Sequence, residues 1–183
     1  LLTGAFIGIS VGVNILVARY IGCRDDAGVS RAVHSAVTLS LLLGVVTFLL
    51  GFFLSTPMLE LMKTPAEVAP DQTVYLTIYF AGIMGLLLYN MGSGILRAVG
   101  DSRRPFYFLV VSAVLNTALD LLFVLRFGMG VEGVAWATVI AQAVSALLVI
   151  VVLLRTQQAV RLIPRDLRIH LPVLRQIIRV GVP

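Results

Sequence analysis

The sequence predicts an all-α polytopic transmembrane helix bundle, and three observations support this fold class. Hydrophobic residues make up 59% of the 183 residues and charged residues only 13%, whereas soluble domains carry about 25% charged residues. The mean hydropathy is +1.02. The apolar residues form continuous runs of about 20 residues, which is the length that a helix needs to cross a bilayer core. These runs lack the polar alternation of membrane β-barrel strands.

Five spans follow from these runs, because a helix satisfies its own backbone hydrogen bonds within one segment and hydrocarbon offers no other partner. We predict them at residues 1–21, 35–54, 74–96, 105–125 and 134–154. The first run has no initiator Met and a new segment starts at the other end. We therefore expect an internal fragment that holds about five spans and the start of a sixth.

The basic residues are distributed unequally between the two ends of these spans. The segment between the first and second spans and the segment between the third and fourth each carry three of the 14 Lys and Arg residues, and the segment after the fifth span carries six. The opposite side carries only Lys63 and Arg126. This asymmetry predicts that the Arg-rich loops are cytoplasmic. It also explains the net charge of +5 without nucleic-acid binding. The Arg-rich segments contain Arg19, Arg24 and Arg31; Arg97, Arg103 and Arg104; and Arg155, Arg161, Arg165, Arg168, Arg175 and Arg179.

Asp120 is the ionisable residue that lies deepest within a predicted span, and such residues are functional candidates because charge is costly in hydrocarbon. A glycine turn at 128–133 makes the fourth and fifth spans an antiparallel hairpin. Asp120 and Thr138 then share a depth of roughly 6–8 Å inside the membrane edge. Two polar stripes follow from helical spacing. They are Ser112, Asn116 and Asp120 on the fourth span, and Thr138, Gln142 and Ser145 on the fifth.

If these stripes face each other, Asn116, Asp120 and Thr138 form one oxygen-rich cluster. A buried carboxylate with amide and hydroxyl oxygens can ligate Na⁺, or it can hold a proton near neutral pH. The residues leave a plainer alternative open, in which Asp120 only bonds a neighbouring helix. Both alternatives predict an inward-facing side chain.

Other polar residues are candidates to line a cavity, namely Tyr89, Asn90 and Gln142. Asn14 is a further candidate, although a packing hydrogen bond is the plainer role for an amide in a span. Two features receive packing roles. A repeat of Gly4, Gly8 and Gly12 predicts close approach of another helix, and His34 is expected to be an interfacial histidine rather than a ligand.

No motif of a soluble enzyme is present in the sequence. The two His and one Cys lie far apart, and no Gly-rich loop precedes a Lys-Ser or Lys-Thr pair, so an ATP-binding P-loop is excluded. We expect no enzymatic activity, no cofactor and no metal beyond Na⁺ at Asp120, Asn116 and Thr138. Energy for any transport must then come from an ion gradient or from a missing partner.

Five segments resemble, in chain order, segments of the multidrug and toxic compound extrusion (MATE) transporters. No single segment is specific, but together they cover nearly the whole chain. They are residues 17–22 (VARYIG) with Arg24 and Asp25, 96–105 (LRAVGDSRRP), 116–120 (NTALD), 128–138 (GMGVEGVAWAT) and 179–183 (RVGVP).

This resemblance implies a twelve-helix transporter of two six-helix lobes. Residues 1–154 would be family helices two to six of the N-terminal lobe, 155–175 the cytoplasmic inter-lobe linker, and 176–183 the start of helix seven. The C-terminal lobe and helix one would lie outside this chain. The family exports small organic, often cationic, drugs and toxins as H⁺ or Na⁺ antiporters. The implied location is the prokaryotic inner (plasma) membrane, with lipid and the other lobe as partners and no nucleic acid.

The resemblance also implies roles for individual residues. In the damage-inducible (DinF-like) branch, the first lobe holds a cation between an aspartate of helix one, an Asn and an Asp of helix five, and a Thr of helix six. Asn116, Asp120 and Thr138 match the last three, and Asp at 120 favours this branch. Two alternatives remain: a flippase for lipid-linked oligosaccharides with the same superfamily fold, and a non-transporting membrane scaffold that would tolerate replacement of Asp120.

Overall fold

The computed structural model describes residues 2–61 and 69–181, and the side chains of residues 6–55 and 72–181. These residues form helices and connecting turns without a strand, so the predicted all-α bundle is confirmed. The helices are α1 (Leu2–Gly22), α2 (Asp26–Leu61), α3 (Ala69–Ala98), α4 (Arg103–Leu121), α5 (Val131–Arg155) and α6 (Leu171–Gly181).

Four of these helices contain a stretch that is long and apolar enough to cross a membrane: Asp26–Ser55, Gln72–Ala98, Arg103–Arg126 and Val131–Arg155. The first predicted span corresponds to a shorter apolar helix, described over Phe6–Gly22. Helices α2 and α3 are longer than these apolar stretches.

Helix α3 lies at the centre of the bundle and packs mainly against α2 and α5, while α4 packs mainly against α5. The main hydrophobic core lies towards the Arg-rich end of the helices. It is built from buried residues of five helices and the linker, including Leu16, Val33, Ile95, Leu153 and Ile177. This arrangement leaves α4 with the least buried span of the four.

The segment after α5 folds back along the bundle. The backbone N–H of Leu162 donates to the carbonyl of Leu153 (2.9 Å), and that of Ile163 donates to Nε2 of His34 (3.0 Å). His34 is buried, and its Nδ1 lies 2.7 Å from the carbonyl oxygen of Ser30 and donates to it. His34, which was expected at the membrane interface, therefore connects α2 to the predicted linker through these hydrogen bonds.

Helix α6 begins at Leu171, within the segment expected to be linker, and packs against α1. The contact requires glycine on both helices. A Cβ on Gly12 would lie 2.5 Å from the carbonyl oxygen of Ile177, and a Cβ on Gly8 would overlap the carbonyl oxygen of Gly181. Close approach at Gly8 and Gly12 agrees with the glycine spacing. The division at residues 155 and 176 stays a prediction.

Candidate functional site

One stripe of α4 faces the rest of the bundle, and both predicted α4 site residues belong to it. Between Phe106 and Arg126 most apolar side chains are exposed, as expected for a helix that faces lipid on most sides. The seven residues that are not exposed recur every three or four positions, so they share one face. They are Phe108, Ser112, Leu115, Asn116, Leu119, Asp120 and Phe123.

Polar groups join this stripe to α5 on two successive turns. The hydroxyl of Ser112 donates to the carbonyl of Ala141 at 2.9 Å, and Nδ2 of Asn116 donates to Oγ1 of Thr138 at 3.4 Å. The Thr138 hydroxyl donates its own hydrogen to the carbonyl of Val134 at 3.0 Å. The structure therefore brings Asn116 and Thr138 into contact, as the antiparallel hairpin predicts.

Asp120 lies one helical turn beyond Asn116 on the same stripe. Its Oδ1 atom is buried and has no hydrogen-bond partner within the described residues, a situation it shares there with Oγ of Ser93. An unpaired buried acceptor costs about 1–3 kcal/mol, and more when it is charged. Such an atom in a native fold calls for a specific explanation, such as a bound ion.

The backbone changes its winding two residues after Asp120. Residues Leu122–Arg126 form a π-helical turn, in which the N–H of Phe127 donates to the carbonyl of Leu122 at 3.2 Å. This turn ends the helix, since residues 127–130 are not helical, and π turns occur at helix C-termini. Periodicity gave no sign of this turn, because an i→i+5 bond leaves no pattern in side-chain polarity.

A cavity of about 510 Å³ lies between α3, α4 and α5 beside the Asn116–Thr138 pair. It extends along α3 from Leu86 to Arg97, which corresponds to about 16 Å at helical rise. Tyr89 closes one part of it by donating its hydroxyl hydrogen to the carbonyl of Pro105 at 2.9 Å. The polar side chains that line it are Tyr89, Asn90, Arg97, Ser112, Asn116, Thr138, Gln142 and Ser145.

Three of the four residues that were predicted to line a cavity line this one. Tyr89, Asn90 and Gln142 line it. Asn14 does not, because all the lining residues belong to α3, α4 and α5 whereas Asn14 lies on α1. The sequence placed Arg97 only in a basic loop. Its position at one end of the cavity could not be predicted from its charge alone.

No cluster of three or more His, Cys, Asp or Glu side chains occurs in the parts of the chain that the structure describes. The predicted cation ligands are instead one carboxylate, one amide and one hydroxyl, those of Asp120, Asn116 and Thr138. Oxygen donors of this kind suit hard cations, whereas imidazole and thiolate suit zinc and copper.

Comparison with known proteins assigns this chain to one family. The family model described as MatE matches residues 1–122. The probable multidrug resistance protein YoeA of Bacillus subtilis (strain 168) is 35% identical over 191 residues, covering 100% of this chain and 41% of that protein. The chain therefore spans about two fifths of this relative.

Solved structures of the same kind superpose closely on the chain. A multidrug resistance MATE family transporter of the MOP superfamily in its inward-facing conformation gives a TM-score of 0.91 at 30% identity, covering 98% of this chain and 41% of that one. An outward-facing conformation also gives 0.91 at 30% identity, covering 99% and 40%. With a family model that matches residues 1–122 of 183, this multi-pass membrane chain belongs to the MatE family of multidrug and toxic compound extrusion transporters.

Proposed function

We propose that this chain is part of the first lobe of a cation-coupled antiporter that exports small organic, often cationic, compounds. The coupling cation, H⁺ or Na⁺, is held by Asp120, Asn116 and Thr138. The observation that carries the proposal is the buried Oδ1 of Asp120, which has no hydrogen-bond partner in the described part of the chain and lies one turn from the Asn116–Thr138 hydrogen bond. The relative YoeA, named as a probable multidrug resistance protein, supports the efflux part.

The chemistry of the site favours a cation over a further hydrogen bond within the protein. A carboxylate at this depth is costly unless a positive charge or a proton accompanies it. The Thr138 hydroxyl uses its hydrogen for Val134, so its oxygen presents lone pairs towards α4. Asn116 contributes a carboxamide oxygen in addition to the N–H that it donates. The three residues would thus offer one small cation a carboxylate, a carboxamide and a hydroxyl oxygen from two helices.

The packing of α4 supports coupling between ion occupancy and helix position. This helix packs mainly against α5, and a π turn begins two residues after Asp120. A cation that binds better in one arrangement of α4 and α5 shifts the population towards it. The equal fit to inward- and outward-facing transporters supports a lobe that keeps its fold while the two lobes rock around the substrate cavity.

The orientation and setting belong to the same proposal. The Arg-rich ends of the helices face the cytoplasm of a prokaryotic cell, as the positive-inside rule predicts. The second lobe, outside this chain, completes the substrate cavity. The pair of Asn116 and Asp120 supports membership of the DinF-like branch. Neither the cation cycle nor substrate export requires a covalent step or a cofactor.

Dye efflux by the complete protein in lipid vesicles tests the proposal, with proton and sodium gradients imposed separately. The wild type should export dye under at least one gradient, and Asp120→Asn should abolish that export while the protein still inserts. Glu132→Gln is the matched control, because Glu132 is exposed in the first turn of α5 and loses the same charge. Full export by Asp120→Asn would refute the site, and transport of lipid-linked sugars without dye export would favour a flippase.

A further inference from the structure

A groove lies at the Arg-rich end of the bundle. It has a volume of about 740 Å³ and is bounded by the end of α3, the start of α4 and the end of α5. We call its charged residues, Asp101, Arg104 and Arg155, the polar wall, and we call Phe108 and Val151 the apolar wall. Its side chains include Asp101, Arg104, Phe108, Val151, Arg155 and Gln158.

The polar wall carries two guanidinium groups and one carboxylate. Arg104 pairs with Asp101, with Nε 3.3 Å from Oδ2, and its side chain remains 59% exposed. Arg155 is exposed and makes no ion pair within the described residues. The wall therefore has a net positive charge with unused N–H donors, and guanidinium groups bind phosphate in a bidentate manner.

The position of the groove relative to the membrane can be read from its neighbours. Phe106 and Tyr107, each 61% exposed, lie two and three residues beyond Arg104 near the start of α4. Exposed tyrosines collect at the headgroup level of a bilayer. Val151 is 42% exposed one turn before Arg155, on the membrane side. The polar wall thus lies level with lipid phosphates, and the apolar wall faces the upper acyl chains.

We infer that this groove binds an anionic phospholipid, with its phosphate between Arg104 and Arg155 and an acyl chain along Phe108 and Val151. The Arg-rich ends are predicted to be cytoplasmic, and the cytoplasmic leaflet carries the anionic lipids. Basic pockets between helices on that side are known to accept such headgroups. The inference rests on the orientation given under the proposed function, but it uses neither Asp120 nor the transport cycle, so failure of the cation site would leave it intact.

Lipid binding to the complete, detergent-purified protein tests the inference by native mass spectrometry. Phosphatidylglycerol is titrated against the wild type and against Arg104→Gln/Arg155→Gln. The control is Arg103→Gln/Arg161→Gln, which removes two exposed arginines at the same end but outside the groove. Phosphatidylcholine and inorganic phosphate serve as the neutral-lipid and free-anion arms. Circular dichroism and gel filtration check that each variant is folded.

The groove variant should bind phosphatidylglycerol about tenfold more weakly or worse, while the control loses only a fewfold through general electrostatics. Phosphatidylcholine binding should be equal in all proteins. Equal losses in the groove and control variants would overturn the inference in favour of diffuse attraction. Displacement of the lipid by millimolar phosphate would overturn it in favour of a soluble-anion site. If the groove variant is unfolded, Arg155→Lys replaces it, and unchanged phosphatidylglycerol affinity there would also contradict the bidentate contact.

Discussion

The carboxamide of Asn116 donates a hydrogen bond of 3.4 Å to the hydroxyl oxygen of Thr138 and so joins α4 to α5 within the membrane. Asp120 follows one turn later, with a buried oxygen that lacks a partner within the described residues. The two helices thus contact each other through polar side chains on an otherwise apolar surface.

Thr138→Val should weaken sodium binding or sodium-dependent export by about tenfold, because one oxygen ligand is lost from a near-isosteric side chain. The measurement is the sodium dependence of dye efflux by the complete protein in vesicles. If the proton alone is the coupling ion, the proton dependence of efflux should change instead.

Thr117→Val is the matched control for this change. Its hydroxyl donates to the carbonyl of Ala113 in its own helix, and the side chain is exposed. Its ion dependence should equal that of the wild type. Equal ion dependence in Thr138→Val and the wild type would show that the Thr138 hydroxyl is not a ligand of the cation.

Ser112→Ala should lower the free energy of unfolding by about 0.6 kcal/mol, the typical value of a hydrogen bond between membrane helices. The bond lost is the one from Ser112 to the carbonyl of Ala141. Ser145→Ala provides the comparison, since that buried hydroxyl donates within its own helix to Gln142. Reversible unfolding in mixed micelles measures both, and a larger loss in Ser145→Ala would contradict the assigned contact.

The fold and the Asn116–Thr138 contact could be predicted because they follow from apolar length and helical spacing, which are local properties of the sequence. The hairpin at 128–133 set the relative depth of the two stripes. Gly8 and Gly12 predicted a close helix contact, but the partner helix α6 could not be identified, because spacing describes one surface of a contact and not its neighbour.

Contacts between distant segments left no comparable signal. His34 accepts a hydrogen bond from a residue 129 positions away, and nothing near residue 34 in the sequence indicates that partner. Asn14 was a cavity candidate because it is polar in a span, yet the cavity is lined by α3, α4 and α5. Polarity at depth therefore identified candidate residues, whereas three-dimensional packing decided which of them line one cavity.

Gly12→Ala should push α6 away from α1, because its Cβ would lie 2.5 Å from the Ile177 carbonyl oxygen and 3.0 Å from the Gly181 nitrogen. Backbone atoms cannot rotate aside, and we expect a loss of about 1–3 kcal/mol in the stability of the contact. Disulfide cross-linking between cysteines introduced on α1 and α6, with exposed Cys23 replaced by Ser, measures the separation.

Gly22→Ala is the control for this substitution, since nothing lies within 4 Å of a Cβ at that position. It should cross-link at the wild-type rate. Unchanged cross-linking in Gly12→Ala would show that α1 and α6 do not meet as described.

His34→Phe should release the linker from α2 while it keeps an aromatic ring at this buried position. The N–H of Ile163 loses its acceptor at 3.0 Å, and the loss of one hydrogen bond costs about 0.5–1.5 kcal/mol. Residue-resolved hydrogen exchange should show roughly tenfold faster exchange at Ile163.

Ser35→Ala removes the neighbouring hydrogen bond between α2 and the linker and serves as the comparison. Oγ of Ser35 accepts the N–H of His170 at 3.1 Å, so exchange should accelerate at His170 and stay unchanged at Ile163. If both variants accelerate exchange at both amides equally, the linker opens as one unit. Neither hydrogen bond would then determine the exchange of its own amide separately.

Direct ion binding to the purified complete protein tests the central claim, that Asp120 holds the coupling cation. Radioactive sodium binding and proton uptake are measured on the same samples of wild type, Asp120→Asn and Glu132→Gln. We predict that the wild type and Glu132→Gln bind the coupling ion equally, and that Asp120→Asn binds it at least about tenfold more weakly. Undiminished binding of both ions by Asp120→Asn would contradict the account.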